Sequence, residues 1–252
     1  MYKNLVVAVK NKIAEVTITR PNHGNDISTD VLTELADCFD NLERNIDVAV
    51  VILTGEGSRF FGKGAHIPEL ANIDSATAGK EQSARGQATF NKIADLSKPV
   101  IAAVNGFAMG GSCELALACH IRIADADKAK FSFPEITLGI IPGYGGTQRL
   151  TRLVGTGNAL ELMLTGAIID AKRAQEMGLV NSTAASSNLL SKCKKMAKMI
   201  ANMDPSAVKG VLKAVGGSLS MTPAEGQKLE AELFGELVIS DAAKKRLQPK
   251  LL

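Results

Sequence analysis

The sequence is poor in several residue types, and each shortage excludes a class of protein. Its 252 residues include no tryptophan, two tyrosines and three histidines, and the four cysteines show no C-x-x-C spacing. His23, His66 and His120 are dispersed along the chain, so neither they nor the cysteines form a metal-ligand pattern. The cysteines indicate buried thiols in a reducing compartment rather than a disulfide framework. We therefore expect no metal site.

Charge imbalance and long apolar runs are also missing. The chain has 29 Lys and Arg against 26 Asp and Glu, a formal net charge of +3, which counts against a nucleic-acid-binding surface. No apolar run approaches the ~20 residues of a membrane span, and residues 1–5 lack the apolar core of a signal peptide. The sequence predicts a cytoplasmic protein with no membrane partner.

Apolar runs alternate with amphipathic segments through most of the chain. The runs at residues 48–54 and 99–104 predict buried strands, and a 3.6-residue apolar period at residues 31–42 predicts a helix. Strands that are apolar on both faces indicate an α/β fold with helices on each side of the sheet. We predict an α/β core with the active site at residues 1–185, and a helical region at residues 186–252.

Two shorter patterns predict strands at the ends of the core. Residues 5–9 and 13–19 flank the polar pair Asn11-Lys12 and indicate a β-hairpin. Near the end of the core, Gly178 stops a helix and the following residues 179–181 predict a short strand.

The central stretch contains two glutamates in unusual surroundings. After the strand at residues 99–104, Gly110 and Gly111 lead into an Ala/Leu-rich helix with Glu114 in its first turn, and Glu135 follows among apolar residues and glycines. Taken singly, each glutamate has a structural interpretation. Glu114 could be a helix-start carboxylate whose sole role is to complement the helix dipole, and Glu135 could be an ordinary helix-start residue. Because ionised carboxylates are rare in apolar company, the pair favours acid/base chemistry.

A second glycine loop admits competing interpretations. Residues 57–63 fit G-x-x-x-x-G-K, but Gly64 replaces the required Ser or Thr, and Pro68 argues against a following helix. Ser112 does not fit G-x-S-x-G. One interpretation accounts for both glycine loops: the N–H groups of Ala65 and Gly111 form an oxyanion hole. Such a hole stabilises the negative oxygen of an enolate formed from a thioester.

Four stretches resemble the enoyl-CoA hydratase (crotonase) family: residues 98–116, 133–150, 164–166 and 174–180. The likeness extends over nearly the whole chain. It implies a spiral of β-β-α turns with a C-terminal all-helical trimerisation region, assembled as a trimer or as a hexamer made of two trimers. It also implies an acyl-CoA thioester as substrate.

The resemblance assigns roles to individual residues. Glu114 and Glu135 match the family's two catalytic glutamates, Ala65 and Gly111 the oxyanion hole, and Gly143 an N–H that helps to hold water. The implied reaction is hydration of a trans-2-enoyl-CoA to the 3-hydroxyacyl-CoA, with no cofactor beyond the CoA of the substrate. The predicted CoA-contacting segment is Lys63, Gly64, Ala65, His66 and Ile67.

Other functions stay open at this point. The same fold could carry enoyl-CoA isomerisation or hydration of a cyclic dienoyl-CoA, and a crotonase-like protein could instead be a binding module for RNA. The intact glutamate pair and the small net charge of +3 favour hydration. Acyl chain length cannot be read from the sequence.

Several residues depart from the family pattern. His66 and His120 stand where the family usually has Asp, and Asp26 stands where it usually has a small apolar residue. As single histidines, His66 and His120 could simply be polar residues at element ends. In the tail, Lys244, Lys245 and Arg246 could meet a CoA phosphate or form a solvated basic surface.

Overall fold

The computed structural model describes residues 1–248, so residues 249–252 of the predicted helical region lie outside the described residues. The strands are β1 Leu5–Lys10, β2 Ile13–Ile18, β3 Val50–Gly55, β4 Phe60–Gly62, β5 Val100–Val104, β6 Phe107–Met109, β7 Ile121–Asp125, β8 Lys130–Ser132, β9 Ile169–Asp170 and β10 Ser182–Ala184. The α-helices are α1 Thr29–Arg44, α2 Ile67–Ala71, α3 Ala76–Ala94, α4 Gly111–Ala118, α5 Gly146–Val154, α6 Thr156–Thr165, α7 Ala171–Glu176, α8 Leu189–Ala201, α9 Pro205–Gly217, α10 Pro223–Val238 and α11 Asp241–Leu247.

Successive chain segments build two sheets side by side. The larger has the order β1-β2-β3-β5-β7-β10 and the smaller β4-β6-β8-β9. Three successive pairs, β3 with β4, β5 with β6, and β7 with β8, each add one parallel strand to both sheets. Helices follow each pair, which is the predicted spiral of β-β-α turns.

Local sequence signals position the first elements as expected. The predicted hairpin is confirmed: β1 and β2 pair antiparallel around Asn11 and Lys12, both with positive φ. Ser28 caps α1, because its Oγ accepts the N–H of Val31 at 3.3 Å. Pro68 does not prevent a helix, since it occupies the first turn of α2, where a missing N–H costs nothing.

The strand predicted at residues 179–181 is wrong. Those residues form a turn, and the strand is β10, three residues later in the chain. Leu179 and Val180 are buried, but the turn holds them, with the Val180 N–H donating to Ala174 O at 3.1 Å. Their apolar character therefore reflects burial in a turn rather than strand pairing.

Helix α8, the first α-helix after residue 185, is packed on the α/β core. It packs against one face of the larger sheet, where apolar residues form a buried cluster with Leu189, Cys193 and Ala197. The predicted boundary between residues 185 and 186 stays a prediction. Helices α9, α10 and α11 differ from α8, since Gly210 is their single buried residue.

No helix within residues 1–248 combines the length and the apolar character needed to cross a membrane.

Candidate active site

Backbone hydrogen bonds connect the loop after β4 to the segment before α1, and they do not use the N–H of Ala65. Ile27 N–H donates to Gly64 O at 2.7 Å, and His66 N–H donates to Ile27 O at 3.1 Å. These bonds flank Ala65 in a parallel bridge, so the N–H of Ala65 points away from Ile27. The Ala65 nitrogen lies beside Gly111, 3.3 Å from the position that a Cβ on that glycine would take.

The loop after β6 brings the second N–H to the same place. Gly110 has φ +49° and ψ −125°, which suits glycine, and Gly111 then begins α4. Because the first N–H groups of a helix have no intrahelical acceptor, that of Gly111 is available to a ligand. The structure thus places Ala65 and Gly111 side by side, while their oxyanion role stays a prediction.

Ser112 holds the two loops together. Its side chain is buried, and its Oγ accepts the N–H of Gly64 at 2.9 Å. A Cβ on Gly62 would overlap this hydroxyl, so the close approach of the loops requires glycine there. From sequence alone, Ser112 was considered only as a nucleophile and rejected, because its surroundings do not fit G-x-S-x-G.

Glu114 lies in the first turn of α4 and is almost fully buried, with 1% exposure. Its Oε1 accepts the N–H groups of Tyr144 at 2.8 Å and Gly146 at 2.6 Å. Burial and, to a lesser extent, the charge of Glu135 raise the pKa of this carboxyl, while the two N–H donors lower it, and the resulting pKa is about 7. The carboxyl is therefore poised to change charge near neutral pH.

Glu135 belongs to a short 3₁₀ helix, Pro134–Leu138. Its Oε2 is buried without a hydrogen-bond partner among the described residues, and burial raises the pKa of the carboxyl. Its Oε1 fills the place where a Cβ on Gly110 would lie. An unpartnered buried oxygen favours the neutral acid over the carboxylate.

A turn between the 3₁₀ helix and α5 completes the wall of the site. Gly143 O accepts Ser83 Oγ–H at 2.5 Å and Gln87 Nε2–H at 3.0 Å, both from α3. Arg149 donates to Tyr144 O at 2.9 Å, and its charge lowers the pKa of Glu114. The turn is fixed from both sides, whereas the water-holding role of the Gly143 N–H stays a prediction.

The sequence did not single out Tyr144, although its aromatic ring inside a glycine-rich turn was a usable signal. The side chain is 5% exposed. It lies in van der Waals contact with Gly111, where a Cβ would come within 3.1 Å of its ring.

The predicted CoA-contacting segment, Lys63 to Ile67, forms one rim of the site. Lys63 is exposed, with its ammonium 5.6 Å from the centre of the Phe60 ring. Ile67, 54% exposed, begins α2. CoA binding by this segment stays a prediction.

The two unusual residues Asp26 and His66 contact each other. His66 Nδ1 lies 2.6 Å from Asp26 Oδ2, and Arg20 Nε donates to Asp26 Oδ1 at 3.0 Å. The pair therefore sits across the bridge that orients Ala65, which explains Asp26 structurally.

His120 has a structural role instead. Its Nδ1 accepts the N–H of Val100 at 3.0 Å, and burial lowers its pKa. It follows α4 at the end opposite to Gly111, so it is a polar residue at an element end.

In the described part of the chain, no three His, Cys, Asp or Glu residues come together as a metal site.

Comparisons with known proteins identify the family of the chain. Residues 8–249 match the family described as enoyl-CoA hydratase/isomerase. The short-chain-enoyl-CoA hydratase of Clostridium acetobutylicum is 41% identical over 233 residues, covering 92% of this chain and 88% of that protein. The crotonyl-CoA hydratase of Syntrophomonas wolfei is 41% identical over 234 residues, covering 93% and 89%.

Solved structures of enoyl-CoA hydratases have the same fold as this chain. The crystal structure of an enoyl-CoA hydratase from Bacillus anthracis superposes with a TM-score of 0.93 at 34% identity, covering 98% of this chain and 95% of that one. An enoyl-CoA hydratase structure from Geobacillus kaustophilus has a TM-score of 0.92 at 33% identity, with 97% and 93% covered. The chain therefore belongs to the enoyl-CoA hydratase/isomerase family.

Proposed function

We propose that this protein hydrates trans-2-enoyl-CoA thioesters to 3-hydroxyacyl-CoA. The observation that carries the proposal is the pair of buried carboxyls, Glu114 and Glu135, beside the adjoining N–H groups of Ala65 and Gly111. Family membership and the hydratase names of relatives from Clostridium and Syntrophomonas support the same reaction.

The N–H groups of Ala65 and Gly111 receive the thioester oxygen. Negative charge develops on this oxygen when water attacks C3, and fixed donors in a dry site stabilise that charge more than they stabilise the neutral carbonyl. Gly111 adds the positive end of the α4 dipole. The buried Ser112 keeps the two loops at the required separation.

The two glutamates divide the proton transfers. Glu114 accepts two backbone N–H groups, which favours its ionised form, so it takes a proton from water as the hydroxyl adds to C3. Glu135 has a buried oxygen without a partner and starts protonated, so it delivers its proton to C2. Afterwards the proton returns from Glu114 to Glu135, and the Gly143 N–H supports the water throughout.

Isotopic water separates hydration from the alternatives on the same fold. Crotonyl-CoA is incubated with the protein in ¹⁸O-labelled water, and the product is identified by mass spectrometry. Hydration puts the label on C3 of 3-hydroxybutyryl-CoA, whereas an isomerase moves the double bond and incorporates no label. The protein without substrate and the substrate without protein are the controls.

Two further outcomes address the remaining candidates. Inactivity with crotonyl-CoA together with labelled product from a cyclic dienoyl-CoA would move the assignment to that hydration. Salt-dependent RNA binding without CoA-thioester binding would favour the binding module.

Assembly and cellular setting belong to the same proposal. We infer a trimer, or a hexamer of two trimers, because α9 and α10 expose large apolar residues such as Val211 at 62% and Phe234 at 67%.

A cytoplasmic setting is supported by the four buried free cysteines. The reaction uses no cofactor beyond the substrate's own CoA, which the exposed Lys63 and the rest of residues 63–67 contact. The exposed Lys244, Lys245 and Arg246 on α11 stay a predicted solvated or CoA-phosphate-binding surface.

A further inference from the structure

The Tyr144 side chain occupies space directly beside the reacting groups. Its backbone N–H donates to Glu114 Oε1 at 2.8 Å, so its Cα adjoins the catalytic carboxyl. From there the ring lies along Gly111, where a Cβ would be 3.1 Å from Cδ2 and 3.2 Å from Cε2. The ring therefore borders the oxyanion hole and Glu114 at the same time.

The other side of the ring is held by α3. A Cβ on Gly86 would overlap Cδ1 of Tyr144, so only glycine at that position lets the ring dock. Phe90 packs edge-on against it, with ring centres 5.5 Å apart and planes at 84°. The ring thus spans the gap between α4 and α3 and is fixed on both sides.

The Tyr144 hydroxyl marks where the apolar space ends. It accepts the Gln82 Nε2–H at 3.2 Å, and Gln82 lines a cavity of about 350 Å³ together with Glu69, Glu81 and Arg85. A methylene chain gains little by entering a cavity with such polar walls. The ring and the polar groups behind it therefore close this side of the site.

We propose that Tyr144 is the end wall of the acyl pocket and restricts the protein to short 2-enoyl chains. This inference rests on the proposed hydratase function. With the thioester oxygen on Ala65 and Gly111 and C3 beside Glu114, carbons beyond C3 continue toward the Tyr144 ring. A four-carbon chain ends before the ring, and an eight-carbon chain overlaps it.

The test compares chain-length preference among variants at this one position. We measure kcat/KM for crotonyl-CoA and trans-2-octenoyl-CoA with wild type, Tyr144→Phe, Tyr144→Leu and Tyr144→Ala. Because one methylene in an apolar pocket changes specificity by about tenfold or more, we expect the octenoyl-to-crotonyl ratio to rise at least about tenfold in Tyr144→Ala. Tyr144→Leu should give a smaller rise.

Tyr144→Phe is the matched control, since it keeps the ring and removes only the bond to Gln82. Its ratio should stay at the wild-type value. Thermal unfolding identifies a variant that fails to fold, and Tyr144→Leu then supplies the comparison. A purely structural role would lower activity on both substrates together and leave the ratio unchanged.

Failure of this inference is distinct from failure of the proposed function. If wild type hydrates crotonyl-CoA and octenoyl-CoA equally well, or if all variants share one ratio, Tyr144 is not the wall and the inference is overturned while hydration stands. If wild type incorporates no labelled oxygen from water with any enoyl-CoA, the hydratase function fails and the inference falls with it.

Discussion

In most folded proteins polar groups are exposed and large apolar side chains are buried. The active site and the C-terminal helices depart from this pattern in opposite ways. Around Ala65 and Gly111, polar groups are buried: Glu114 is 1% exposed, and Glu135 keeps an oxygen without a partner. In α9 and α10, large apolar side chains face outward, with Val215 65% and Phe234 67% exposed. Buried polar groups and exposed apolar surface are the two informative exceptions in a folded protein.

The contrast separates groups that one chain brings together from apolar surface that one chain leaves exposed. The site gathers its carboxyls, N–H donors and wall from one chain: the loop after β4, α3, α4, the 3₁₀ helix Pro134–Leu138 and the turn before α5. The apolar face of α9 and α10 finds no cover among residues 1–248. We therefore expect catalytic residues to respond to single changes in chemistry, and C-terminal residues to respond through assembly.

The largest expected effect comes from neutralising a site carboxyl. Glu114→Gln and Glu135→Gln keep the side-chain shape and remove proton transfer, so each should lower kcat for crotonyl-CoA hydration by about 10²–10⁴. Loss of the conjugated enoyl-thioester absorbance measures the rate, and circular dichroism checks the fold. Glu161→Gln, at an exposed position of α6, is the matched control. Near-normal turnover in either site variant would remove that residue from the mechanism.

Disrupting the exposed apolar face of α10 should lower the mass of the protein in solution. A charge at Phe234 on α10 should abolish association, because burying an unpaired carboxylate in an interface is costly. Light scattering on Phe234→Glu should then approach the 26.5 kDa of one chain, while Glu230→Gln on the same helix stays assembled. A wild type that is itself monomeric at micromolar concentration would refute the assembly.

Burial of Glu114 predicts a stability that depends on pH. Its pKa is 4.5 when unperturbed and about 7 in the folded protein, so between these values the folded state holds the proton more tightly than the unfolded one. Stability therefore falls as pH rises from 4.5 to about 7. Glu114→Gln removes this dependence. In urea unfolding, the variant should gain about 3 kcal/mol of unfolding free energy relative to wild type as pH rises from about 5 to about 8. Equal pH dependence in both proteins would contradict the burial cost.

The smallest effect concerns the pair behind Ala65. Asp26 and His66 are part-exposed, at 11% and 23% of their side chains, so we expect a coupling of only about 1 kcal/mol. A double-mutant cycle with Asp26→Asn, His66→Ala and the double variant measures it by urea unfolding. Additive single effects would mean that the contact contributes nothing to holding the bridge.

The sequence predicted the parts whose chemistry is local. Gly110 and Gly111 before a helix, and glutamates among apolar residues, indicate their surroundings without tertiary information. The apolar runs likewise predicted an α/β fold, and the family resemblance implied the spiral of β-β-α turns. The structure reproduces these elements because turn chemistry and strand burial agree with one another along this stretch.

The remaining features depend on contacts between distant residues. Asp26 reads as an unexplained polar substitution until His66, forty positions away, is placed against it. Gly86 is a helix-weakening residue until the ring of Tyr144 requires the space. An apolar pattern alone cannot separate a buried turn from a strand, which is why the segment before Ser182 was misassigned.

The pH dependence of crotonyl-CoA hydration tests the central claim, that Glu114 and Glu135 share one proton beside a carbonyl-binding hole. Below the range in which the pair titrates, no base is left, and above it, no acid is left. Burial raises the pKa of both carboxyls, and that of Glu114 is about 7. We therefore expect kcat/KM to rise and then fall with increasing pH, with one of the two limbs near neutral pH. A profile that stays flat from about pH 5 to about pH 9 would contradict the shared proton.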